Sequence, residues 1–480
     1  MIIPKEVKTI LEKLRANGYE AYIVGGCVRD FLLDKEPKDW DVTTNAKPEE
    51  IQKVFPDSFY ENNFLTVTVQ TGSEKLSEVE ITTYRLEAKY SDKRHPDEVK
   101  YAKTLEEDLS RRDFTVNSMA MDTAKKISDF FGGQADLKKK IIRTVGNPDE
   151  RFGEDALRLL RAVRFATTLD FEIEKETAAA IKKNSLWIEA VSKERIRDEL
   201  VKIVAADKAA DGIELLRQLG LLKFILPELE ENYGVAQNKH HIYDCYTHAI
   251  KALEYTAKKK FNLHVRLAAL FHDIAKPRVK TGEGVNSSFY NHEVVGAKMT
   301  FQILKRLAFS NKDIEKIVKL VKWHMFYYNV DEVSESSVRR LVRNVGPDSI
   351  DELLQVREAD RIGSGVPKAE PYKLRHLKYV IDKVAKDPIS VGMLKVDGKN
   401  IMDMLDIKPG PRVGQILEAL LGEVLEDPKK NTKEMLAEKI AELGKLDEKK
   451  LKEMAEAAKE DKVEVQKQED EKIKGKYWVK

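Results

Sequence analysis

YIVGGCVRDFLLDKEPKDWD, residues 22–41, is the stretch whose reading decides the fold. Tyr22, Ile23 and Val24 make a short apolar strand and Gly25 and Gly26 a turn. Val28, Phe31, Leu32 and Leu33 follow at amphipathic helical spacing, and a second strand carries Asp39 and Asp41. The glycines let backbone N–H groups approach an anion, the helix N-terminus adds partial positive charge, and Arg29 is close enough to join them. Acids at i and i+2 of a strand leave the same face and can hold one or two hard cations. Such cations clamp the attacking and leaving oxygens of a phosphoryl transfer. The segment therefore points to metal-assisted chemistry on a nucleotide.

Around it, residues 1 to about 140 mix helices and strands. A helix is expected over Lys5–Asn17 and another near Pro48–Val54. The runs FLTVTVQT (64–71) and SEVEITTYR (77–85) alternate as strands covered on one face. Glu80 on the second run is either a third metal-facing carboxylate or a solvated strand acid. Tyr84–Tyr101 is polar and charged and reads as a mobile loop. DLSRRDFTVNSMAMD (108–122) then supplies Arg111 and Arg112, which suit triphosphate oxygens, with Asp113 or Asn117 suited to ribose hydroxyls. ERFGEDALRLLRAVRFA (150–166) is a strong helix former in which Asp155 and Arg158 share a face, with Arg161 and Arg164 further round. Cytosine and adenine each present an amino donor beside a ring-nitrogen acceptor, which a carboxylate beside a guanidinium complements. Uracil and guanine reverse that pattern and would leave buried groups unsatisfied.

The chain of 480 residues suits about three domains or one extended array. Charged residues are 35% of it, yet the net charge is only +2, so a nucleic-acid surface has to be a local patch. Two cysteines, no signal peptide and no membrane-length apolar run lead to the expectation of a soluble cytoplasmic protein without a disulfide framework. From Gln237 the sequence becomes helical and rich in histidine. His248, the His272-Asp273 doublet, His292, His324 and Asp360 form a set whose imidazole and carboxylate donors suit a transition metal, and one bridging Asp can serve two ions. The last fifty residues alternate Lys and Glu and are expected to be a solvated helix with a frayed end.

Residues 22–41 resemble motif A, and 108–122 motif B, of the class II tRNA nucleotidyltransferases and bacterial poly(A) polymerases. Within that family this chain looks like a CCA-adding enzyme with an internal HD domain. The resemblance implies an α+β fold: a polymerase β-like nucleotidyltransferase head with a mixed sheet over 1–140, then all-α parts. These are a neck and body over 141–235, an HD domain over 236–370 and a tail over 371–480 that binds tRNA. It implies Mg²⁺ on the catalytic acids Asp39 and Asp41, and the triphosphate on Gly25, Gly26, Arg29 and Arg112. Asp155 and Arg158 would select CTP and ATP, assisted by Arg161 and Arg164. The family usually has Gly where Leu65 stands. The 84–101 segment matches the loop used in switching from C to A addition, and PGPRVG (409–414) either seats an RNA phosphate or is a plain interhelical turn. By resemblance to HD phosphohydrolases, His248, His272, Asp273 and Asp360 would bind a metal, with His292 and His324 as candidates for a second ion and Lys276 contacting phosphate. The expected partners are tRNA, ATP and CTP, with no membrane and no DNA. The alternatives are an A-adding enzyme or poly(A) polymerase, or an HD metallophosphohydrolase with an RNA-binding head.

Overall fold

The structure, a computed structural model, describes residues 2–61, 65–88, 98–238, 242–283, 286–385 and 390–479. They divide into two compact units, one of residues 1–325 with 351–367 and the other of 326–350 with 368–480.

The first unit opens with a seven-stranded mixed sheet. Its strands are β1 (Ala21–Val24), β2 (Asp41–Thr44), β3 (Ser58–Glu61), β4 (Thr66–Gln70), β5 (Glu78–Thr83), β8 (Ala120–Met121) and β9 (Ile127–Ser128), in the order β3-β4-β5-β2-β1-β8-β9. A separate antiparallel hairpin, β6 (Arg85–Ala88) and β7 (Glu98–Tyr101), rises between β5 and β8 in sequence. All neighbours in the large sheet are antiparallel except β2 and β5, whose parallel register sets Asp41 beside Glu80. Alternation explains the two faces: Val67, Val69, Val79 and Ile81 are buried, while Thr66, Glu80 and Thr82 point the other way. The Pro48–Val54 helix covers the apolar face of β3–β5 with Ile51, and the Lys5–Ala16 helix packs on β1. Each such fully buried aliphatic side chain stabilises the head by about 1.5–3 kcal/mol.

Two local expectations for the head are corrected by the structure. Asp39 does not lie on a strand: it is an exposed residue in a bend, and the ladder to β5 starts at the Asp41–Glu80 pair. The arms of the 84–101 segment are not irregular but pair as β6 and β7, while residues 89–97 at its tip lie outside the described residues, as does Phe64. Leu65, where the family has Gly, takes a left-handed backbone with φ 53°. A side chain there costs roughly 1–2 kcal/mol, partly offset by the entropy a glycine would lose. Leu65→Gly should therefore raise the urea midpoint, by up to about 1 kcal/mol in unfolding free energy; a lowered midpoint would show that the half-buried Leu65 side chain outweighs the strain.

Helices follow, apart from a two-residue parallel pairing of β10 (Ile141–Ile142) with β11 (Glu172–Ile173). The expected single helix over 150–166 is two, Pro148–Glu154 and Leu157–Leu169. Asp155 between them is extended (φ −137°, ψ 106°) and its Oδ1 accepts the Leu157 N–H at 3.0 Å, capping the second helix. The Leu157–Leu169 helix packs on Lys193–Ala205 and Ala209–Gln218 through Leu159, Val163, Ile196, Ile203 and Ile213. Beyond them lie Cys245–Lys258, Leu263–Phe271, His292–Arg306, Asn311–Trp323 and the C-terminal part of Pro347–Gly363.

The second unit is helical, with a core of Ile401, Ile416, Leu420, Leu436, Ile440 and Leu451. Its last helix, Glu448–Tyr477, is not frayed. Ala458 meets Gly422 so closely that a Cβ on the glycine would come within 2.8 Å of it. At the far end, Asp470 accepts the Tyr379 hydroxyl at 2.6 Å and Tyr477 donates to Asp382 at 2.8 Å. In PGPRVG the Arg412 guanidinium is used internally, on the carbonyls of Gly444 and Leu446. Among the described residues no helix is long and apolar enough to cross a membrane.

Candidate functional site

Two sites in the first unit collect the residues singled out above. In the head, Gly25 has φ 86° and starts the Gly26–Leu32 helix. A Cβ there would lie 2.9 Å from Arg112 Nη1 and 3.8 Å from Asp41 Oδ2, so strand, glycine turn, acid and arginine meet at one point. Asp41, Glu80, Thr66, Thr82, Arg111 and Arg112 line a cleft of about 340 Å³. Burial raises the Asp41 carboxyl pKa, Arg112 works against that, and the neighbouring charge of Asp39 adds to it. An acid held in this way is relieved by a cation, and the donors, all carboxylate oxygens, suit a hard divalent ion.

The arginines are held by a residue the sequence reading passed over. Asp108 is fully buried, 3.0 Å from Arg111 and 3.7 Å from Arg112, and it also accepts from the Thr43 hydroxyl and the Arg85 N–H. Burial opposes its ionisation, yet the two guanidinium groups keep its pKa below the ordinary value. Its spacing, three and four residues before the arginine pair that follows the end of its helix Leu105–Ser110, was the available signal.

A polar chain runs on into the neck. Arg29 Nη1 donates to Asn117 Oδ1 at 2.7 Å, Asn117 donates to Asp113 Oδ1 at 3.2 Å, and Arg161 forks onto Asp113 Oδ2 at 2.8 and 2.6 Å. Burial would raise the Asp113 pKa, but Arg161 and Arg158 pull it down to about 2. Arg164 pairs with the buried Glu199 at 2.7 Å. Arg29, Arg161 and Arg164 all surround the Phe165 ring, at 5.2, 5.3 and 3.6 Å from its centroid. Arg158 is buried, on Glu154 Oε2 at 2.5 Å and the carbonyls of Arg151 and Arg111. Asp155 instead pairs with Arg195 at 2.7 Å, so Asp155 and Arg158 lie near each other without sharing a side-chain bond.

The second site is built from helix ends. His272 and His324 follow the last turns of Leu263–Phe271 and Asn311–Trp323, His292 begins its helix, and His248 and Asp360 come from within theirs. All six residues, with Asp273, are buried. His272, His292 and His324 each turn Nδ1 to the carbonyl three residues back, at 2.8, 2.7 and 2.7 Å, which aims Nε2 inward. The two oxygens of Asp273 face two groups. Oδ2 lies 3.1 Å from His248 and 3.4 Å from His272, whose Nε2 atoms are also 3.5 and 3.6 Å from Asp360 Oδ1. Oδ1 lies 3.2 Å from His292 and 3.7 Å from His324. Ligand atoms of His248, His272, Asp273 and Asp360, and of Asp273, His292 and His324, converge within 4.8 Å in each group. Apart from Asp273 Oδ1, the buried His292 Nε2 meets no hydrogen-bond partner among the described residues. Burial, with His272 nearby, lowers the His324 pKa to about 3, leaving the neutral ligating form. Burial opposes protonation of His272, but Asp273 and Asp360 raise its pKa to about 10; the field that draws a proton would draw a cation. Lys276 Nζ is engaged by Asp273 at 2.5 Å and by Gln237 Oε1 at 2.6 Å.

Gly363 was also passed over. A Cβ there would lie 2.7 Å from the His248 carbonyl oxygen and 3.1 Å from its Nδ1. Gly363→Ala should weaken divalent-metal binding at the histidine site about tenfold or more by displacing His248; unchanged affinity in a metal titration would show that the helix end yields instead.

Three family models match the chain: the poly A polymerase head domain over residues 21–143, the probable RNA and SrmB-binding site of polymerase A over 170–233, and the HD domain over 240–364. The chain is 33% identical over 435 residues to the CCA-adding enzyme of Lactococcus lactis subsp. cremoris, covering 89% of this chain and 93% of the relative. It is 34% identical over 418 residues to the A-adding tRNA nucleotidyltransferase of Deinococcus radiodurans, covering 84% and 92%. Among solved structures, that of the Bacillus stearothermophilus CCA-adding enzyme in complex with CTP superimposes with a TM-score of 0.58 at 28% identity, over 91% of this chain and 96% of the other. At 33% identity over 93% of that relative, and with the poly A polymerase head and HD domain models both matched, the chain belongs to the CCA-adding enzyme family of tRNA nucleotidyltransferases.

Proposed function

We propose that this chain adds C, C and A to the 3′ end of tRNA from CTP and ATP without a nucleic-acid template, releasing pyrophosphate. The observation that carries the reading is the meeting of Gly25, Arg112 and Asp41 at the mouth of the head cleft, with Glu80 in register beside Asp41. Asp39 and Asp41 would hold Mg²⁺, which when bound neutralises the triphosphate and favours the ionised 3′-hydroxyl. Gly25, Gly26, Arg29 and Arg112 orient the triphosphate, with Asp108 fixing the angle of Arg112. The 3′-oxygen attacks the α-phosphorus, the bond to the β-phosphate oxygen breaks, and pyrophosphate leaves. Asp113 and Asn117, already linked to Arg29 and Arg161, face the ribose, and Asp155 with Arg158, Arg161 and Arg164 selects the base. Much of the rate gain then comes from positioning and charge.

The histidine site supports a second activity, metal-dependent phosphohydrolysis, because Asp273 offers one oxygen to each of two ligand groups. The borderline imidazole donors suit a transition metal there. Lys276, bound to Asp273, orients that bridging carboxylate and would reach phosphate only by leaving it. Two buried free cysteines fit a reducing, cytoplasmic setting.

The test is a tRNA lacking its last three nucleotides, incubated with Mg²⁺ and CTP, ATP or both, with the products sequenced. Addition of CCA followed by arrest is expected. Long A tails, or A added only after a supplied CC, would replace this reading by a poly(A) polymerase or an A-adding enzyme.

A further inference from the structure

The neck helix Lys193–Ala205 places two charged residues, one turn apart, on the face toward the base-selecting arginines. Arg195 Nη2 bonds Asp155 Oδ2 at 2.7 Å, and Glu199, four positions on, bonds Arg164 Nε at 2.7 Å. One helix face thus grips the anion and one of the cations assigned to base selection, with opposite charges in matching order. Asp155 itself has a constrained setting. It sits outside both flanking helices, and its Oδ1 caps Leu157 while its Oδ2 is held by Arg195. Arg158, the guanidinium that sequence spacing pairs with Asp155, is engaged elsewhere, by Glu154 and two backbone carbonyls. The cation at Asp155 is Arg195. Its other terminal nitrogen, Nη1, is buried with no hydrogen-bond partner among the described residues, so the guanidinium still carries an unused donor beside the carboxylate. A buried N–H of this kind is costly to leave unmet, and its loss or satisfaction is felt.

We propose that Arg195 is a positioning residue for base selection: it fixes the orientation of the Asp155 carboxylate against which an incoming base is matched. The inference rests on the reading of Asp155 as a base-selecting residue. Without Arg195, Asp155 keeps only the Leu157 N–H, and its side chain can rotate or accept from a different base edge. The expected consequence is relaxed discrimination rather than simple loss of activity, because Asp39, Asp41 and Arg112 are untouched.

The experiment measures kcat/KM for CTP, ATP, UTP and GTP on tRNA acceptors awaiting C or A, for wild type, Arg195→Ala, Arg195→Lys, Asp155→Ala and the double Ala variant, each with its melting temperature. Arg195→Ala should reduce the preference for correct over incorrect nucleotide tenfold or more, Arg195→Lys should restore part of it, and the double variant should discriminate no worse than Asp155→Ala. If Asp155→Ala relaxes selection and Arg195→Ala does not, the inference fails while the role of Asp155 stands. If Asp155→Ala leaves selection intact, the base-selection reading of Asp155 fails and takes the inference with it. A purely structural Arg195 would lower the melting temperature and all four kcat/KM values together, with their ratios unchanged, and that too overturns it. Should Arg195→Ala not fold, Arg195→Gln replaces it, being closer in length, and the ratio decides in the same way.

Discussion

Asp41→Asn should abolish nucleotide addition, lowering kcat by about 10³-fold or more, while the protein melts at or slightly above the wild-type temperature. The two halves of the expectation have one cause. Burial and the charge of Asp39 raise the Asp41 pKa in the folded head, only partly offset by Arg112. A carboxyl whose pKa is raised on folding binds its proton more tightly in the folded state. Its contribution therefore favours folding at pH below the unfolded value and is lost as pH rises through the folded one. At neutral pH the ionised Asp41 works against stability until a cation joins it, and the neutral amide removes that strain along with the ligand. Added Mg²⁺ should then raise the melting temperature of wild type more than that of the variant. Asp39 is exposed, so Asp39→Asn should lose addition without the stability gain. Addition retained in Asp41→Asn would sink the metal assignment.

Much of this site was legible in the chain because its chemistry is local in sequence. The glycine turn, Arg29 and the acids fall within twenty residues. What could not be read was where tertiary partners override local preference. EDALRLLRAVRF is a run of strong helix formers, and nothing within it announces a break at Asp155. The break is made by Asp155 capping Leu157 and by Arg195, forty residues away, holding its other oxygen. The same holds for the C-terminal Lys/Glu helix. Its composition is that of a solvated helix, and the two tyrosine–aspartate bonds that anchor its end come from side chains such a pattern treats as surface. Leu65 is the converse case, in which a departure from the family's glycine marked a backbone position that the structure leaves left-handed.

The histidine set was legible as a list but not as a geometry. Six imidazole or carboxylate positions spread from 248 to 360 announce a metal site, whereas which carboxylate bridges depends on which oxygen faces which ring. That distinction leads to the other large effect. Asp273→Ala should remove both ion positions, because Oδ2 serves His248 and His272 while Oδ1 serves His292 and His324. Asp360→Ala should remove one, because Asp360 Oδ1 faces His248 and His272 while its Oδ2 is taken by Arg357. Bound metal measured by mass spectrometry should fall to none in the first variant and by about half in the second, if both positions are filled in wild type. Asp273→Ala also strips Lys276 of its carboxylate partner, leaving a buried ammonium with Gln237 and the face of the Phe289 ring, and should cost about 3–5 kcal/mol of stability. Asp273→Asn separates the two effects, keeping the volume and one oxygen while removing the charge. CCA addition by the head should survive Asp360→Ala at the wild-type rate, and metal-dependent release from a phosphodiester should survive Asp41→Asn, since the two acid sets share no residue. Equal metal loss in the Asp273 and Asp360 variants would overturn the bridging role and leave a single ion held by both carboxylates.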